Sequence, residues 1–113
     1  MQLETRTLGE YRVFVPKGKL SAVELKEFVD KMAEEINKGC VKIALNLEHT
    51  VLIDSRTLGM LIHTNIKLQS NKGELVLFNL TPDLKMAARE MSLDMVFSIF
   101  GSEDAFKKAM DIS

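Results

Sequence analysis

The sequence predicts an α/β domain: a mixed four- to five-stranded sheet that opens with an N-terminal β-hairpin and continues in the order β-β-α-β-α-β-α-β-α. Three observations carry that reading. Two alternating runs, residues 2–8 and 11–15, flank Gly9-Glu10. A stretch apolar at Val41, Ile43, Ala44, Leu45 and Leu47 and a continuous apolar run, Leu75–Phe78, come further on. Around them, apolar residues recur every three or four positions. Strands apolar on both faces belong to a parallel sheet covered by helices, and helices between them are the right-handed crossovers such a sheet requires. With 113 residues, 46% hydrophobic and 27% charged, the chain is expected to form one domain over residues 1–113, without repeats or long linkers.

In the hairpin, Leu3, Thr5 and Thr7 face one side, and Tyr11, Val13 and Val15 continue the alternation after the turn. Glycine at the first central position of the link supplies the positive φ of a type II′ turn. Pro16-Lys17-Gly18-Lys19 then breaks the pattern. Ser21 caps a helix with the inner face Ala22, Leu25, Phe28, Val29, Met32 and Ile36, and Asn37-Lys38-Gly39 ends it. Val41–Leu47 is a buried strand, and Glu48-His49-Thr50 leads from it towards a second helix. That helix runs from Ser55 to Asn71, with Leu58, Leu61, Ile62, Ile66 and Leu68 as its apolar surface. Asn71-Lys72-Gly73 stops it before the strand Leu75–Phe78. Thr81-Pro82 starts a third helix, with proline at its first position, that runs to Met91 and buries Leu84, Ala87, Ala88 and Met91. Met95–Phe100 reads as a short edge strand. Gly101-Ser102-Glu103-Asp104 starts a final helix with Ala105, Phe106, Ala109 and Met110 facing inward. The seven methionines are placed mostly in the core, with Met60, Met86 and Met95 as exceptions suited to partner docking.

Composition narrows the function classes. Interspersed charges, 15 basic and 16 acidic for a net −1, leave no electrostatic footprint for nucleic acid or an anionic membrane. Cys40 is alone, so neither an internal disulfide nor a cysteine-rich metal site is expected. No apolar run approaches the roughly 18–20 residues of a membrane span, and the first residues lack the apolar region of a signal peptide. The expectation is a cytoplasmic protein with no membrane or direct nucleic-acid partner. Neither glycine-rich nucleotide loop is present. His49 and His63 lie on different elements outside any H-E-x-x-H frame, which argues against a metal site. A Ser55 nucleophile would need a positioned base and an orienting group, and no G-x-S-x-G elbow exists. An Asp54 phosphoacceptor would need an acidic cluster for Mg²⁺ that the first strand does not offer. The chain reads as a non-enzyme, with no catalytic residue and no cofactor.

The stretch Val51-Leu52-Ile53-Asp54-Ser55-Arg56-Thr57-Leu58-Gly59 concentrates what chemistry there is. An apolar run turns there into an amphipathic helix at a small hydroxyl residue, beyond the carboxyl ends of parallel strands, where sites gather in open α/β sheets. Asp54 or Ser55 can cap the helix. Unpaired N–H groups and the positive end of the dipole would also welcome a phosphate on Ser55. A plain cap and a phosphorylation switch both fit these residues.

Asn46-Leu47-Glu48, Ile53-Asp54-Ser55-Arg56-Thr57-Leu58-Gly59, Lys72-Gly73-Glu74-Leu75-Val76-Leu77 and Thr81-Pro82-Asp83-Leu84-Lys85 resemble the STAS domain of anti-sigma factor antagonists. The likeness covers nearly the whole chain and extends to Gly18-Lys19-Leu20-Ser21. It implies a STAS-like fold and a switch rather than an enzyme. An unphosphorylated antagonist binds an anti-sigma factor that is also a serine kinase and so frees a sigma factor; phosphorylation ends the interaction, and a PP2C-like phosphatase restores it. Asp54 matches the acid before the switch, Ser55 the phosphoacceptor, and Leu58 and Gly59 the end of the motif. Arg56 and Thr57 stand where the family usually has a small hydroxyl residue and glycine, and Ser21 where it often has an acid. Arg56 could pair with a phosphate on Ser55 or obstruct the usual kinase, and Thr57 is a weaker second acceptor. The partner surface so implied comprises Ser21, Asp54, Ser55, Arg56, Thr57, Leu58, Gly59 and Met60. The alternative is a ligand- or nucleotide-sensing or scaffolding STAS module without phosphorylation. Oligomeric state is left open.

Overall fold

The computed structural model describes residues 2–20, 22–51 and 55–112. It is a five-stranded sheet in which β1 (Gln2–Leu8), β2 (Tyr11–Lys17), β3 (Lys42–Asn46), β4 (Glu74–Phe78) and β5 (Ser98–Phe100) lie side by side in chain order. Only β1 and β2 are antiparallel; β2, β3, β4 and β5 run parallel. Helices α1 (Ala22–Asn37), α2 (Ser55–Ser70), α3 (Pro82–Glu90) and α4 (Glu103–Ala109) fill the crossovers and the end of the chain. The hairpin turns at Gly9 with φ +60°, as a type II′ link demands.

Residue alternation divides the strands between two layers. Phe14, Ile43, Leu45, Leu75 and Leu77 point to the face covered by α1, α2 and α3. Val13, Val15, Ala44, Val76 and Phe78 point to the other face, where α4 lays Phe106 among Tyr11, Phe78 and Phe100 at ring distances of 4.9, 5.4 and 5.6 Å. The central strand β3 is buried on both sides, which is why Ile43, Ala44 and Leu45 are apolar in succession.

Several expectations are corrected. Pro16 does not end β2: the strand continues to Lys17, paired there with β1 alone, so proline's missing N–H breaks no ladder with β3. The stretch Met95–Phe100 divides into a 3₁₀ turn, Leu93–Met95, and the three-residue β5, leaving Met95 84% exposed. On α2 the buried stripe is Thr57, Leu58, Leu61, Thr64, Asn65 and Leu68, at helical spacing, so Ile66 falls outside it and Ile62 at its margin. The buried hydroxyl of Thr64 donates to the Met60 carbonyl at 2.9 Å. Met91 of α3 and Ala105 and Ala109 of α4 are exposed rather than inward. Of the described methionines only Met32 is fully buried; Met60 and Met110 are half-buried, and Met86, Met91 and Met95 are exposed. The Ser21 cap and the side chains of Ala22 and Leu25 lie outside the described part of the structure.

Candidate functional site

The four parallel strands deliver their carboxyl ends to one edge of the domain, and hydrogen bonds gather the loops there. Gly18, just past β2, donates its N–H to the His49 carbonyl at 2.9 Å, and its own carbonyl accepts from the Val51 N–H at 3.1 Å. Thr50, 1% exposed, donates its hydroxyl to the Pro16 carbonyl at 3.1 Å. On the far side of β3 the Leu47 N–H donates to the Phe78 carbonyl at 3.1 Å. The loop that leads to α2 is thus tied to the strand on either side of its own.

Asn46 extends this frame. It is 3% exposed, and its Oδ1 accepts from the Glu48 N–H at 3.1 Å and from Asn79 Nδ2 at 3.3 Å. Asn79, in the left-handed region with φ +59°, turns its own Oδ1 to the Glu103 N–H at 3.1 Å, and the Glu103 carboxylate pairs with Arg6. One polar chain therefore runs from the β3–α2 loop across the strand ends to the start of α4. Sequence reasoning named Asn46 only within a motif and missed Thr50 and Asn79; a polar residue closing an apolar strand was the available signal.

Ser55 is the first residue of α2 and is exposed. The position before it, Asp54, lies outside the described residues, as does Ser21. Arg56 is exposed, and none of the ion pairs between described residues includes it. Thr57 and Leu58 turn inward, 1% and 5% exposed, and Leu58 packs over Leu47, Leu61 and Leu77 beside a void of only about 20 Å³. Gly59 is exposed and Met60 half-buried. The structure thus brings Ser55, Arg56 and Gly59 to the surface and uses Thr57 and Leu58 as roots. Burial separates the two hydroxyls: that of Ser55 lies on an exposed residue, whereas Thr57 is buried in the folded domain.

A cleft of about 460 Å³ opens at the opposite end, between the hairpin turn, the start of β3 and Met110–Ile112. Its cation is already engaged, with Lys42 Nζ 2.7 Å from Glu10. Among the described residues no group of three or more His, Cys, Asp or Glu side chains is placed to hold a metal ion. No helix of the described residues is long and apolar enough to cross a membrane.

The result is a mixed α/β domain that presents the exposed Ser55 on the first turn of α2, beside strand ends tied together by hydrogen bonds. The chain belongs to the STAS domain family, whose model matches residues 2–106. Its fold is similar to a crystal structure of a putative anti-sigma factor antagonist from Thermotoga maritima, with TM-score 0.85, 22% identity and coverage of 96% of this chain and 92% of that one. An anti-sigma factor antagonist from Mycobacterium paratuberculosis matches at TM-score 0.83, with 16% identity and coverage of 96% and 92%. The Bacillus cell fate determinant SpoIIAA, in its phosphorylated form, matches at 0.73, with 19% identity and coverage of 96% and 99%. Comparison of the sequence with curated proteins returned no match.

Proposed function

We propose that the protein is an anti-sigma factor antagonist, a non-enzymatic switch that binds an anti-sigma factor with serine-kinase activity and is released when Ser55 is phosphorylated. The observation that carries this reading is the exposure of Ser55 on the first turn of α2 while its neighbours Thr57 and Leu58 are buried. Membership of the STAS family and likeness to antagonists, one of them described in a phosphorylated form, support it. A phosphate adds roughly −1.5 to −2 charges. On Ser55 it would meet the positive end of the α2 dipole, with the Arg56 guanidinium close by in the chain. The same charge would oppose an apolar or acidic partner surface without any movement of the domain. The partner surface comprises Ser55, Arg56, Gly59 and Met60, supported from beneath by Thr57 and Leu58, and the family resemblance adds Ser21 and Asp54 to it. The kinase supplies the base, Mg²⁺ and nucleotide, and a PP2C-like phosphatase resets the switch.

Capture from the source lysate on wild-type, Ser55→Ala and Ser55→Asp protein tests the reading. Wild type and Ser55→Ala are expected to retain an anti-sigma factor kinase that Ser55→Asp loses. The recovered kinase and ATP should add one phosphoryl group to wild type and none to Ser55→Ala. Equal capture by Ser55→Ala and Ser55→Asp, or phosphate absent from Ser55, would sink it.

A further inference from the structure

Asn79 stands in the left-handed region at φ +59°, where asparagine, aspartate and glycine sit more readily than other residues. Glycine would take the same turn with less strain, so the turn by itself does not call for an amide. The amide joins two backbone N–H groups that are far apart in sequence. The Glu103 N–H can only donate, and it takes Asn79 Oδ1 at 3.1 Å; Nδ2 is left to donate to Asn46 Oδ1 at 3.3 Å. The same Asn46 oxygen accepts from the Glu48 N–H at 3.1 Å, and Asn46 Nδ2 donates to the Glu48 carboxylate at 3.2 Å. Turning either amide over would set donor against donor at a backbone N–H, so each fixes the orientation of the other.

We propose that Asn79 is a positioning residue for the switch: through Asn46 it holds the Glu48 N–H, and with it the start of the loop that leads from β3 towards Ser55. The inference rests on the reading of Ser55 as the phosphorylated residue of the partner surface. Bonds from Gly18 to His49 and Val51, and from Thr50 to Pro16, tie the later half of the loop to β2. The Asn79–Asn46 arm ties its start to the opposite side. Without that arm the start of the loop samples other positions, and a partner that recognises one arrangement binds in proportion to the fraction that keeps it. The Ser55 hydroxyl and the packing of Leu58 are untouched, so phosphoryl transfer itself keeps its rate.

Amide hydrogen exchange and phosphorylation of the full chain test the proposal on Asn79→Asp and Asn79→Gly. Both substitutions suit the left-handed turn, and circular dichroism checks that both variants fold. The aspartate variant retains an oxygen for the Glu103 N–H but offers Asn46 no donor; the glycine variant loses both bonds. Exchange of the Glu48 amide should quicken at least about threefold in both variants, and that of the Glu103 amide in the glycine variant alone. With the kinase captured by wild type, KM for the domain should rise by a similar factor in both while kcat holds. Unchanged Glu48 exchange, a uniform quickening of all amides, or a KM equal to that of wild type would overturn the proposal and leave the Ser55 reading standing. A wild type that takes no phosphate on Ser55 would overturn the two together.

Discussion

Asn65 completes the sheet with a single amide. Its Oδ1 accepts from the Leu75 N–H at 3.1 Å and its Nδ2 donates to the Val96 carbonyl at 2.9 Å. Both backbone groups sit beyond the β4–β5 ladder, which begins at Val76 opposite Ser98, so the side chain supplies the pairing that a three-residue strand cannot. Asn65 is 2% exposed, and Asn65→Leu would leave the two groups unpaired. A loss of about 2–4 kcal/mol is expected, read as a lower urea midpoint with an unchanged slope. Gly59 is the opposite case. A Cβ there would meet nothing within 4 Å, and glycine inside a helix is less stable than alanine by roughly 0.5–1 kcal/mol. Gly59→Ala should raise the melting temperature while weakening capture of the partner, if the partner's surface approaches the helix at this point. Unchanged capture would remove Gly59 from the proposed surface.

Among the elements, the junction between α2 and β4 is the most constrained. The sequence assigns the helix stop to Asn71-Lys72-Gly73, and within it Lys72 takes the left-handed turn, with φ +65°. Gly73 has a different duty: its N–H donates to the Leu68 carbonyl at 2.8 Å, and an added Cβ would lie 2.0 Å from the Val41 carbonyl oxygen. That oxygen also accepts from the Glu74 N–H at 3.0 Å, fixing the start of β3 against β4. Gly73→Ala must therefore move backbone, and a cost of about 3 kcal/mol or more is expected in equilibrium unfolding. A fall of less than about 1 kcal/mol would show that the junction yields more easily than this packing implies. The third helix behaves as its sequence suggests: the Thr81 hydroxyl accepts from the Leu84 N–H at 3.3 Å, with Pro82 at the first position.

For the whole molecule, the smaller layer sets the response to alkali. Tyr11 is 4% exposed under Phe106, and its hydroxyl donates to the Glu74 carboxylate. Burial first, then the hydrogen bond to Glu74 and that residue's charge, push its phenol above the usual value near 10. A raised value means that the folded state holds the proton more tightly than the unfolded one. The stability so contributed is complete below pH 10 and is lost as the pH climbs beyond it, by up to about 1.4 kcal/mol per pH unit. Tyr11 is the chain's single tyrosine, so phenolate absorbance should rise only with unfolding. Tyr11→Phe should flatten the alkaline limb of the stability curve. Phenolate appearing near pH 10 in the folded protein would contradict the burial argument.

Local patterns were enough to establish the element order, the hairpin, the doubly buried β3 and β4 and the helix starts at Ser55, Pro82 and Glu103, because period, turn chemistry and caps act within a few residues. They also singled out Ser55, since the change from apolar strand to amphipathic helix is written in consecutive positions. Local spacing also found most of the buried faces, such as Phe28 and Met32 on α1 and Leu84 and Ala88 on α3, but tertiary structure decided the margins of the stripe on α2. Ile66 and Thr64 differ in hydropathy in the sense opposite to their burial, because the stripe on α2 follows the shape of the sheet beneath it and Thr64 and Asn65 satisfy their polar atoms locally. It decided likewise that Thr57 is buried and Ser55 exposed, and that Asn46, Asn79 and Glu103 meet across strand ends. Hydrogen bonds and close packing between residues far apart in sequence leave no periodic trace in the chain; they exist only once the strands are laid side by side.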